Sequence, residues 1–153
     1  MYCRFPLTFA MLLIQRHVLD ASPRPVEEQV RLRVERRMFL KRRWRAVAED
    51  GLEFGFDLEG RLHSGAVIHR TEAVDYVMIQ EEEPVYEIRL ADAAQAALIG
   101  WKIGNLHFPV EIGEGWVRVT RDLAVTQLCE REGWVVAEAE VIFNPLRVTP
   151  HAS

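Results

Sequence analysis

Cysteine is nearly absent from this chain: Cys3 and Cys129 are the two thiols in 153 residues. Two thiols cannot build a disulfide scaffold for a chain of this length, nor a four-cysteine zinc site. Serine is equally scarce. Ser22, Ser64 and Ser153 are all there is, and none sits in a G-x-S-x-G nucleophile elbow. Neither G-x-x-x-x-G-K-[ST] nor G-x-G-x-x-G occurs, so phosphate cradling has no sequence support. No apolar run approaches the ~18–20 residues of a membrane span. The five histidines are scattered and form no metal-storage tract. What is present is a composition 49% hydrophobic and 27% charged, enough to build one ordinary domain or two small ones. A soluble, cytoplasmic globular protein is the expectation.

Residues 5–14 (FPLTFAMLLI) follow Arg4 and have the look of a short signal-peptide core. No small-residue cleavage site follows, and the run ends in QRHVLD, so a first β-strand over 11–18 is the better reading. Met11 is an alternative start.

The net charge of −4 conceals a strong asymmetry: residues 1–45 carry +7 and residues 46–153 carry −11. Most of the positive charge lies in RLRVERRMFLKRRWR, residues 31–45. Basic clusters with interleaved aromatics can mark nucleic-acid surfaces. Here Val30, Leu32 and Val34 alternate with Arg31 and Arg33, which favours the exposed face of a β-hairpin. An acidic protein partner ranks between these two readings.

From residue 11 to about 80 the signals are strands and turns. Strands are expected at 11–18, 30–34, 43–48, 53–57, 67–69 and 74–79, with Asp50-Gly51 as a hairpin turn. The acidic run QEEEP (80–84) reads as a linker. Beyond it the pattern becomes β-α-β-β-α-β: strands at 85–90, 107–112, 116–120 and 134–143, and helices at 93–103 and 121–132. Asp92 is a plausible N-cap, Gly104-Asn105 the first helix stop, and Gly133 the second. The fold class expected is α+β: a small all-β domain over 11–80, a ferredoxin-like domain over 85–145, and a short tail over 146–153.

Chemistry is sparse. Cys129 falls inside a helix and reads as a small buried side chain. Glu81–Glu83 and the Glu138/Glu140 pair read as solvated faces. His17, His63 and His69 fall at strand ends and turns of the β domain and read as surface residues. His107 differs, because it follows a helix stop and opens a strand. One imidazole makes a weak site, but a two-fold dimer with His107 near its axis would bring two together.

The segment GWKIGNLHFPVEI (100–112) resembles the metal-site segment of the urease accessory protein family UreE. In that family a helix ends in Gly-Asn-Arg-His before a proline-containing strand. Gly104, Asn105, His107 and Pro109 match, and Leu106 replaces the arginine. Upstream, Arg42, Arg43, Arg45, Asp50, Gly51, Leu58, Leu62 and Gly65 resemble the family's N-terminal lobe, and Ala66 replaces its Asp after Gly65. Downstream, Asp122, Leu128, Gly133, Phe143 and Pro145 are in step. The resemblance runs from about residue 11 to 145. It implies a cytoplasmic, homodimeric nickel chaperone that is not an enzyme and delivers Ni(II) to apo-urease with the accessory GTPase; Zn(II) or Cu(II) also suit imidazole in vitro. It implies a peptide-binding-like first lobe and His107 of each protomer as the ligand. The tail NPLRVTPHAS offers His151 as a second ligand. Arg121, Asp122 and Leu123 stand where some relatives carry further histidines, so that auxiliary site is expected to be missing. Nucleic acid and membrane have no part in this reading. The competing reading is a metal-free protein-interaction module using the basic β lobe.

Overall fold

The computed structural model describes residues 10–147 and divides the chain between Glu81 and Glu82 into two compact units. The fold is α+β. His151 and Cys3 lie outside the described residues.

The described residues of unit 1 form six strands: β1 (Leu12–Ile14), β2 (Gln29–Val34), β3 (Arg43–Val47), β4 (Glu53–Asp57), β5 (Val67–Arg70) and β6 (Asp75–Gln80). They form two three-stranded sheets, β1-β4-β3 and β2-β6-β5. β3 and β4 are the Asp-Gly hairpin, in which Ala48 accepts from the Gly51 amide and Gly51 takes a φ of 90°. Asp50 fixes this turn twice over. Its Oδ1 accepts from the Leu52 amide and its Oδ2 from the Tyr76 hydroxyl at 2.6 Å, which ties the hairpin to β6. Burial and this carboxylate partner push the Tyr76 phenol up to about 12. Leu32, Phe54 and Met78 are fully buried, and Trp44 stacks on Phe56 with ring centres 3.9 Å apart.

Two expectations about this unit are corrected. The first strand is three residues long, not eight. After Ile14 the chain leaves β4, and the Val18 amide bonds to Val67 of β5 instead. Residues 31–45 are not one hairpin, because β2 and β3 belong to different sheets with a 3-10 turn, Arg36–Leu40, between them.

The acidic run is not a five-residue linker either. β6 runs to Gln80 and β7 (Glu83–Arg89) begins at Glu83, leaving only Glu81 and Glu82 between strands. Pro84 is tolerated inside β7 because it pairs on one side only, opposite Glu140, while the ladder on the other side starts at Val85.

Unit 2 then continues as α1 (Ala93–Asn105), β8 (Val110–Gly113), β9 (Trp116–Thr120), α2 (Leu123–Glu132) and β10 (Val136–Val141). Its sheet is antiparallel throughout, in the order β10-β7-β9-β8. Ile88, Val117 and Val119 pack against Ile99 and Ile103 of α1 and Val125 and Leu128 of α2. Asp92 caps α1 by accepting from the Gln95 amide, and Asp122 caps α2 by accepting from Ala124. α2 therefore starts at Leu123, two residues later than its periodicity suggests. In the β8–β9 turn, a Cβ on Gly113 would lie 2.1 Å from the Trp116 ring, so only glycine fits.

The opposite face of the sheet carries an ion cluster. Arg118 stacks on Trp116 at 4.1 Å and reaches Glu87 at 3.0 Å and Glu111 at 3.6 Å. Beyond β10 the chain passes from one sheet edge to the other. Phe143 is fully buried, the Asn144 amide donates to Glu111, and the Leu146 amide donates to the Val110 carbonyl on β8.

The buried charge of unit 1 gives a test. Asp75 is wholly shielded from solvent and accepts from Arg70 at 2.8 Å and Ser22 at 2.7 Å, with Arg24 at 3.2 Å. Burial pushes its carboxyl up, but the Arg70 and Ser22 hydrogen bonds and the Arg70 and Arg24 charges outweigh it and hold it below the ordinary value. A lowered carboxyl contributes stability above the unfolded value near ~3.9 and loses it as pH falls through the folded one. Asp75→Asn is expected to destabilise by about 2–3 kcal/mol at pH 7 in urea denaturation. The difference from wild type should shrink as the pH falls below ~3.9.

Candidate metal centre

Both helices of unit 2 end the same way, on a residue in the left-handed conformation. In α2 that residue is Gly133, φ 65°, whose amide bonds back to Glu130. In α1 it is His107, φ 59°, whose amide bonds back to Gly104 at 3.1 Å. Glycine takes this conformation freely, whereas an L side chain incurs roughly 1–2 kcal/mol. His107 is the only non-glycine with positive φ among the described residues. Strained backbone of this kind clusters at functional positions.

This corrects the expected helix stop. Gly104 and Asn105 both remain helical, and the turn falls two residues later. His107 does not open β8, which begins at Val110. Leu106, in the place of the arginine, packs against the helix-side core. The His107 side chain is exposed.

The helix leading to it has a two-sided character. Ile99 and Ile103 face the core, while Leu98 is 45% and Trp101 66% exposed. Ala93, Ala97, Gly100 and Gly104 are also exposed. Nothing lies within 4 Å of where a Cβ on Gly100 or Gly104 would be.

The other histidines are placed as follows. His69 packs beside the rings of Phe54 and Tyr76. His17 and His63, distant in sequence, come together with ring centres 5.4 Å apart, and both meet Asp20. Sequence reasoning missed this juxtaposition, because the two rings are 46 positions apart and no local spacing reports it. Cys129 is buried in α2, and burial pushes its thiol up. Among the described residues, no three His, Cys, Asp or Glu side chains form a ready-made metal cage. Among them too, no helix is long and apolar enough to cross a membrane.

Residues 83–152 match the family profile of the UreE urease accessory protein C-terminal domain. Urease accessory protein UreE of Chelativorans sp. (strain BNC1) is 32% identical over 108 residues, 69% of this chain and 68% of that protein. The protein of the same name from Rhodopseudomonas palustris (strain BisB18) is 30% identical over 107 residues, about half (51%) of its length. That of Pseudomonas putida (strain F1) is 28% identical over 138 residues, 88% of this chain and 81% of the relative. These matches set the chain among the urease accessory proteins, which assist an enzyme and are not enzymes themselves. It belongs to the UreE family.

The left-handed turn at His107 makes a prediction that separates backbone from imidazole. His107→Gly is expected to stabilise the chain by about 1 kcal/mol, and His107→Ile to destabilise it by a similar amount. Urea denaturation midpoints compare the three proteins directly.

Proposed function

We propose that this chain is a cytoplasmic nickel carrier for urease assembly. It binds Ni(II) between two copies through His107 of each and passes it on with the accessory GTPase to apo-urease. Neither nucleic acid nor membrane takes part. Unit 2 would be the ferredoxin-like metal-binding domain over 85–145, and unit 1 a peptide-binding-like domain over 11–80 that meets protein partners.

The single observation that carries the reading is His107 held in a glycine's conformation at the exposed end of α1. A strained, rigidly placed imidazole that belongs to no group of three ligands among the described residues makes chemical sense if a second chain supplies a fellow ligand. The outer face of α1 supports that second chain. Helical Gly100 and Gly104 each cost about 1 kcal/mol relative to alanine, and no contact among the described residues requires them. A second helix approaching closely would require them, with Leu98 and Trp101 covered on either side. Two imidazoles on one ion make an open, incomplete site, which suits a cargo that must leave again.

The path of the tail supports His151 as the auxiliary ligand of the segment 146–153. Leu146 is hydrogen-bonded to Val110, three residues on from His107. His151 is five positions beyond Leu146, a reach of up to ~17 Å. Imidazole also suits Zn(II) and Cu(II), and Cu(II) generally binds more tightly. Only neutral imidazole ligates, so nickel affinity falls on acidification.

Titration calorimetry tests the reading. Wild type is expected to bind one Ni(II) per two chains, His107→Gly to lose this binding, and His151→Ala to weaken it less. Tight binding retained by His107→Gly overturns the assignment. Gly100→Leu, whose Cβ has no neighbour within 4 Å, is expected to convert dimers to monomers in sedimentation and to lower nickel affinity. Dimers that persist in Gly100→Leu would contradict close packing of α1.

A further inference from the structure

The two edges of the unit 2 sheet are unlike. β8 is partly covered, because the Leu146 amide donates to the Val110 carbonyl. β10 is open: it pairs with β7 on one side, and among the described residues no strand pairs with the other. The register says which backbone groups this leaves. The Val135 carbonyl accepts from the Arg89 amide, so Val135, Ala137, Ala139 and Val141 turn their backbone groups toward β7. Val136, Glu138 and Glu140 turn theirs outward. We propose that this edge docks an extended basic segment of a protein partner, which joins the four-stranded sheet as a further strand beside β10, independently of His107.

A strand added to an open edge draws affinity from main-chain hydrogen bonds and specificity from alternate side chains. Glu138 and Glu140 supply the specificity. They share one face of the sheet, opposite Tyr86 and Pro84, and their side chains are 67% and 58% exposed. Arg121 lies 3.7 Å and 3.8 Å from them, beyond hydrogen-bond reach. Its guanidinium donates instead to the Val85 and Ala139 carbonyls, which ties β10 to β7. Lysine or arginine at alternate positions of the added strand would sit across from the two carboxylates. Exposed Val135 and Ile142 flank the strand and offer apolar contact at either end. Pairing with β10 of a second copy is disfavoured, because it would set carboxylates against carboxylates. Unit 2 holds 11 acidic and 6 basic residues, so its field also draws a basic segment in from a distance.

The test uses the full chain, free of metal, and a short labelled peptide of alternating lysine and valine. Fluorescence anisotropy is expected to show binding. Amide hydrogen exchange, read by NMR, is expected to slow at Val136, Glu138 and Glu140, while Ala137 and Ala139, already bonded to β7, hold steady. Glu138→Lys combined with Glu140→Lys is expected to weaken binding at least about tenfold and to gain binding of a glutamate–valine peptide, with circular dichroism unchanged. A lysine–proline peptide has the same charge but cannot form the ladder, and is expected to bind wild type at least about tenfold more weakly than the lysine–valine one. No binding, equal binding of the two lysine peptides, or binding without slowed exchange at Val136, Glu138 and Glu140 overturns the proposal, and all three are read on wild type. Binding that survives the double charge reversal in a folded variant overturns it as well.

Discussion

A helix that must stop at a fixed point and turn back into a sheet commonly does so on one residue with positive φ. In α2 the chain meets this need with Gly133, and in α1 it uses His107. That substitution governs the site. The Gly104–His107 hydrogen bond closes the last turn, Leu106 is pulled into the core, and the imidazole is left outside on a backbone that cannot relax into the helix. The β8 strand then starts at Val110, where it also receives the tail. Moving the turn by one residue would bury the histidine or expose the leucine.

The strands with clean alternation were legible from the sequence. β4 and β9 begin and end where the pattern puts them, and Asp92 caps α1 as its position before an alanine-rich run suggests. The helix stop was read two residues early because glycine and asparagine are the usual left-handed residues, and tertiary packing of Leu106 overrode that preference. QEEEP looked like a linker because charge and proline resemble loop chemistry. Instead Glu83 already opens a paired strand, only Glu81 and Glu82 lie between strands, and Pro84 is just outside the β9 ladder. β2 and β3 looked like one hairpin because both alternate, and alternation carries no information about which sheet a strand joins. The His17–His63 juxtaposition had no sequence signal of any kind.

Charge is also redistributed by folding. Residues 1–45 are strongly basic, but unit 1 as a whole has 13 basic and 12 acidic residues, and unit 2 has 6 and 11. Asp57 alone meets both Arg42 and Arg43. The Arg43 hydrogen bond outweighs burial, and with both arginine charges it holds the carboxyl below its ordinary value. Glu49 pairs with Arg33 and Glu35 with Arg37. Four of the eight basic residues in 31–45 are thus matched within a unit that is close to neutral, which weakens a nucleic-acid reading and leaves the acidic unit 2 as the natural home for a cation.

The central claim is that one nickel ion joins two chains through a single histidine from each. Native mass spectrometry of the nickel-loaded protein reads that directly. The account predicts a dominant species of two chains and one Ni(II), which loses its metal and falls apart together when the solution is acidified. One nickel on each separate chain, or a dimer that forms and holds without any nickel affinity, would contradict it.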